Sequence, residues 1–255
     1  MGSSMPDYEA LGQQIDAYCK KYSIPSTYFL EIINDQKVVP MLRGKGMEYN
    51  AYLVINQMLD SSQWTVHKLN PNPQPGSPDQ DSSVIHRRTN IRLGIESKSA
   101  VRGSMTAGAR ARLLRQIPHF KVKCHRSRSN IELAGTSNDR YRADAFDIIV
   151  TTPANALFKV GTIGDSLEMI DDQALMKILY TYYNVSSEEK LLKTADNDWR
   201  FVLPATIADK DGFVPRTPYV RLENDVSWLP ISQLQKVLDQ VVRQKWQNRN
   251  RSSRN

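Results

Sequence analysis

Apolar residues recur at helical spacing from Tyr8 to Tyr22 and stop before Pro25, which predicts an amphipathic helix closed by proline. Phe29 to Val39 is richer in aromatic and β-branched residues and reads as an extended or hairpin segment. An apolar run then leads from Gly44 to Leu59, with Glu48, Tyr52, Ile55 and Leu59 at helical spacing. This puts the Glu48 carboxylate on the apolar stripe of a predicted helix. It needs a positive partner there, unless it is a first-turn acid favoured by the helix dipole. Trp64 to His67 reads as a strand, and the proline-rich stretch Asn70 to Gly76 as a loop.

Alternation of apolar and polar positions is sharpest next. Ser82 to His86 and Ile91 to Lys98 read as two strands, with Arg87 to Asn90 as the turn between them. A turn centred between Arg88 and Thr89 makes residue 81 face residue 96. Glu96 and Lys98 then share one face of the strand, while Leu93, Ile95 and Ser97 take the other. A bulge would shift this pairing, and the Pro78-Asp79 dipeptide keeps Asp79 as a second candidate beside Asp81. Beyond the hairpin the pattern predicts a helix over about 106–116 and a strand over Phe120–Cys124. Asp144–Thr152 reads as a strong strand with 155–160 as its hairpin partner. Further expectations are a helix over Leu167–Tyr183, a strand over Trp199–Pro204, a helix over Ile231–Trp246 and a disordered polar tail over 247–255. With no repeat and no long linker, residues 1–246 read as one domain, its core at about 44–125 and an elaboration at about 126–246.

Composition alters this little. A 40% hydrophobic, 24% charged chain is ordinary for a globular protein, and no segment approaches the ~20 apolar residues of a membrane-spanning helix. Cys19 and Cys124 are too few for a disulfide scaffold, and the four histidines lack metal-ligand spacing, so a reducing cytoplasm is expected. Charge matters more. The formal net charge is +7, and no acid lies between Glu96 and Glu132, an interval that holds Lys98, Arg102, Arg126 and Arg128. A single-sign field beside a pair of carboxylates suits a polyanion such as nucleic acid. No phosphate-binding loop, serine elbow, helix-turn-helix or aromatic RNA-recognition motif is present.

Asp79 or Asp81 followed by Glu96-Ser97-Lys98, behind a helix bearing Glu48, resembles the PD-(D/E)XK nuclease superfamily. That superfamily includes type II restriction endonucleases and Holliday-junction resolvases. Its core runs helix, three strands, helix, strand, the order read here over 44–125. The resemblance implies an α/β fold with a restriction endonuclease-like core, a mixed central sheet flanked by helices, and an elaborated C-terminal half. It implies a sequence-specific endonuclease that hydrolyses double-stranded DNA with Mg2+, for which Mn2+ can substitute. Asp81 and Glu96 would hold the metal with Asp79 assisting. Lys98 would orient or activate water, and Glu48 would bind a second metal or support Lys98. Arg102, Arg126 and Arg128 are the expected DNA contacts. One site per chain and two strands to cut imply a homodimer. Two other readings stay open. One is a structure-selective nuclease of the junction-resolving or repair type. The other is a non-catalytic nucleic-acid-binding protein in which Glu96 and Lys98 are a surface ion pair.

Overall fold

A computed structural model of the protein describes residues 7–69, 80–101, 119–126, 139–160, 167–169 and 173–252. The chain falls into two compact units, residues 1–45 with 160–167, and 46–159 with 168–255. The first unit opens with α1 (Tyr8–Lys21), capped by Asp7, whose side chain accepts the Ala10 amide at 3.0 Å, with Lys20 and Lys21 in its last turn. The segment expected to be extended is helical. It contains α2 (Phe29–Ile33) and the start of α3 (Val38–Met58). Asp35 separates them: its carbonyl accepts the Val38 and Val39 amides at 2.9 Å and its Oδ1 the Lys37 amide at 2.7 Å. This local turn outweighs the β-branched composition, and Pro40 falls in the first turn of α3, where its missing N–H costs nothing.

The remaining elements are β1 (Trp64–Lys68), β2 (Ser82–His86), β3 (Ile91–Ser97), β4 (Ala100–Val101), β5 (His119–Val122), β6 (Ile148–Thr151), β7 (Phe158–Val160) and β8 (Leu167–Met169). They continue with α4 (Gln173–Tyr183), α5 (Glu188–Asn197), β9 (Arg200–Val202), α6 (Pro204–Ile207), β10 (Tyr219–Arg221), β11 (Leu229–Pro230) and α7 (Leu234–Ser252). Six strands form a mixed central sheet in the order β1-β2-β3-β6-β9-β11, in which β3 and β6 are parallel and the other neighbours antiparallel. A parallel pair needs a long crossover, here the residues between Ser97 and Ile148. Strands β4, β5 and β10 form a separate sheet.

Apolar side chains cover both faces of the central sheet. Leu93 and Ile95 of β3, with Ile148 and Val150 of β6, pack against Ile55 of α3 and Leu238 of α7. Ile149 and Val202 face the other way, toward Leu179 of α4, Leu191 of α5 and the Phe120 sheet. A central sheet between helical layers is therefore the architecture. β6 is buried along its whole length, as a strand covered on both faces must be.

The hairpin pairs as the sequence predicts, with Ser82 opposite Ile95 and His86 opposite Ile91. Asn90 closes it in the left-handed region at φ 53°, and its amide donates to the His86 carbonyl at 2.9 Å. Other boundaries move. The strand that extends the sheet beyond β3 is β6, while 119–122 joins the separate sheet. Residues 153–157 form a 3-10 turn rather than a returning strand. The helix expected from Leu167 begins at Gln173, and α7 runs on to Ser252, through most of the expected tail. The expected 70–76 loop and 106–116 helix lie outside the described residues. Among those described, no helix is long and apolar enough to cross a membrane.

Candidate active site

Three strand ends meet at one end of the central sheet: the C-termini of β1 and β3 and the N-terminus of β2. Continuing the β2–β3 ladder by one residue puts Asp81 opposite Glu96. The Asp81 Oδ2 accepts the buried Ser97 amide at 2.8 Å, which fixes the carboxylate against the end of β3. Glu96 is 2% exposed, and its Oε1 meets the Lys98 ammonium at 2.5 Å. Strand alternation accounts for the pair, since Leu93 and Ile95 point into the opposite core. Lys98 is anchored through its backbone as well. Its amide donates to the Val150 carbonyl at 3.0 Å, and its own carbonyl accepts the Thr151 hydroxyl at 2.7 Å. β6 thereby holds the lysine from both sides.

Glu48 lies beside the buried α3 stripe of Met47, Ala51 and Ile55 rather than on it. Because α3 starts at Val38, Glu48 is mid-helix and no first-turn dipole accounts for it. Its positive partner is Lys68 at the end of β1, 3.3 Å from Oε2. The Lys68 ammonium also donates to the carbonyls of Leu69 at 2.9 Å and Asp81 at 3.0 Å. One lysine thus joins the acid-bearing helix to the strand that follows Asp81.

Burial, and after it the negative charge of Glu48, push the Asp81 carboxyl up to about 6, against the opposing pull of the Ser97 amide, Lys98 and Lys68. Burial by itself would lower the Lys98 ammonium, but Glu96 and then Tyr141 outweigh it and hold the lysine above its ordinary value. Lys98 donates to the Tyr141 hydroxyl at 3.1 Å and lies 4.8 Å from the ring centroid. The Arg126 guanidinium lies 4.8 Å from the same centroid and donates to the Arg140 carbonyl at 2.9 Å. Arg126 thus packs on the same tyrosine ring as the lysine. Cys124 completes this wall; burial pushes its thiol up to about 12, so it serves packing rather than nucleophilic chemistry.

The structure therefore gathers Asp81, Glu96, Lys98 and Glu48, with Arg126 adjoining through Tyr141. Asp79, Arg102 and Arg128 lie outside the described residues. Lys68 and Tyr141 were not legible in the sequence. Lys68 had a signal in its position at the end of a strand beside the Glu48 helix; Tyr141, 43 residues from Lys98, had none. Among the described residues, no three histidine, cysteine or acidic side chains are grouped to hold a metal ion. The donor set that is present, two carboxylates at adjacent strand ends, suits a small hard cation that keeps most of its waters. The crowding that raises Asp81 is the kind a cation relieves. No protein-family model matches the chain, and neither a curated protein nor a solved structure is significantly similar to it.

Proposed function

We propose that this protein is a divalent-metal-dependent endonuclease that hydrolyses phosphodiester bonds at specific sites in double-stranded DNA, on a PD-(D/E)XK-type, restriction endonuclease-like core. The observation that carries this reading is the Lys98 ammonium, held 2.5 Å from a buried glutamate at a strand end beside a second carboxylate. The succession of α3, three antiparallel strands, a crossover and a parallel strand supports the core assignment, with β6 in the last place. A glutamate 2% exposed is not half of a surface ion pair, which counts against the non-catalytic reading.

Asp81 and Glu96 would hold Mg2+, or Mn2+ in its place. The cation when bound supplies a water of lowered pKa and positive charge beside the scissile phosphate. Lys98, kept protonated by Glu96 and Tyr141, donates rather than accepts: it orients the attacking water and offsets charge developing on the phosphate. Glu48 and Lys68 set the charge behind Asp81 and fix the approach of β2. Two copies would be needed to cut both strands, hence a homodimer. The test is incubation of purified protein with long DNA, with and without magnesium. Discrete magnesium-dependent fragments, lost in Glu96→Gln, are expected; intact DNA under every divalent cation refutes the proposal.

A further inference from the structure

The other end of the central sheet carries a feature the cleavage chemistry does not use. The β2–β3 turn, the residue before β1 and one face of α7 enclose a cleft of about 320 Å³, lined in part by Gln63, Arg88, Thr89, Asp239, Arg243 and Trp246. Two adjoining clefts continue it into a groove. One shares Asp239 and Arg243 and adds Lys236; the other shares Gln63 and Arg88 and adds Arg87. Four cations thus stand against a single carboxylate. The turn is braced from beneath. His86, 8% exposed, bonds the Thr89 hydroxyl at 2.9 Å and sits edge-on to Trp64. The Arg87 Nε donates to the Ser61 carbonyl at 2.9 Å, which fixes that guanidinium before any ligand arrives.

Trp246 is the unusual member. Trp64, Trp199 and Trp228 are 1%, 3% and 2% exposed, whereas Trp246 is 44% exposed. A half-exposed indole that shares its cleft with Arg88, Arg243, Gln63 and Asp239 matches the needs of a nucleotide. The ring stacks on the base, the arginines take phosphates, and Gln63 and Asp239 reach the base edge. Bases inside a duplex do not offer their faces, so the matching ligand has an unpaired base.

We propose that this groove binds an unpaired nucleotide of a nucleic-acid strand, with its base against Trp246 and its phosphates on Arg88 and Arg243. The proposal rests on the nucleic-acid reading above but not on its metal chemistry. His86 and Asp81 lie at opposite ends of β2, about 17 Å apart at the usual rise per residue, so groove and candidate active site are distinct. Such a site would hold a frayed or flipped-out nucleotide that flanks the duplex being cut.

Because the other tryptophans are buried, quenching of intrinsic fluorescence by a stacked ligand reports this groove. Full-length protein in EDTA is titrated with a short labelled oligothymidylate and with a blunt duplex of equal length, following tryptophan emission and label anisotropy together. The single strand should quench emission saturably and more strongly than the duplex. Trp246→Leu should abolish the quench and weaken binding roughly tenfold or more. Arg88→Ala with Arg243→Ala should keep the far-ultraviolet circular dichroism of the fold and lower the salt dependence, by about 0.7 in log–log slope per lost phosphate contact. Glu96→Gln should leave the quench intact, so a failure of the cleavage reading and a failure of this one are told apart. Binding without quenching, no binding, or equal quenching by duplex would each overturn the proposal. Equal quenching by polyglutamate would overturn it in favour of an acidic protein partner.

Discussion

Asp81→Asn gives the sharpest test of the charge arrangement. In the folded protein the Asp81 carboxyl is raised from an ordinary value of 3.8 to about 6. A raised folded value favours the protonated form. The stability linked to it is fully present below about pH 4 and lost as pH rises through about 6. About two pH units at ~1.4 kcal/mol each amount to about 3 kcal/mol. Metal-free protein should therefore lose up to about 3 kcal/mol from this one group between mildly acidic and neutral pH. The carboxamide of Asp81→Asn keeps an oxygen for the Ser97 amide and carries no charge. The variant should be the more stable protein at neutral pH, by an amount that shrinks toward zero as pH falls to about 4. Urea denaturation in EDTA across that pH range measures this directly. Magnesium should then stabilise the wild type at neutral pH and the variant much less, because only the wild type has charge to be balanced. A stability deficit in Asp81→Asn that is equal at every pH would refute the reasoning. It would mean the carboxylate is held by its hydrogen bond and not crowded by burial and Glu48.

Lys98→Ala should lower DNA cleavage by about 10²–10³ while binding persists. It should also cost about 3–5 kcal/mol in unfolding measurements, since it leaves the buried Glu96 without its ammonium. Tyr141→Phe keeps the ring under Lys98 and removes the 3.1 Å hydrogen bond. A loss of about 1 kcal/mol is expected, with a fall in cleavage rate that substrate saturation does not rescue. Asp81→Asn should abolish magnesium-dependent cleavage and Asp79→Asn should impair it less; the reverse order in a cleavage assay would make Asp79 the working acid.

The hairpin was largely legible because its evidence is local. Alternation, a four-residue turn and the side-chain period of two gave the face shared by Glu96 and Lys98 and favoured Asp81 opposite Glu96, while the choice over Asp79 needed the observed pairing of Ser82 with Ile95. The Glu48 helix was legible as a helix, but its rotation was one residue off, since Met47 and Ala51 form the stripe with Ile55. Non-local choices were not legible. A short apolar strand such as 119–122 carries no mark of which sheet it joins, and β6 takes the place beside β3 from some fifty residues away. The helical 29–39 segment was hidden by residues that suit a strand, because the Asp35 turn decides its fate. The lysine's environment was invisible for the same reason as the sheet order. Tyr141 and Val150 meet Lys98 only through the closed fold.

That dependence has a kinetic consequence. Asp81, Glu96 and Lys98 sit within a hairpin whose contacts span fewer than twenty residues, so the chemistry-bearing segment can pair early. The groups that steady Lys98 belong to a crossover and a parallel strand, whose closure carries the larger loop entropy. Refolding should pass through a stage in which the hairpin amides are protected from hydrogen exchange while those of β6 are not, and in that stage the lysine has its glutamate but not its clamp. Replacing Val150, at the β3–β6 seam, by alanine should slow the appearance of a competent site more than it slows formation of the hairpin that carries it.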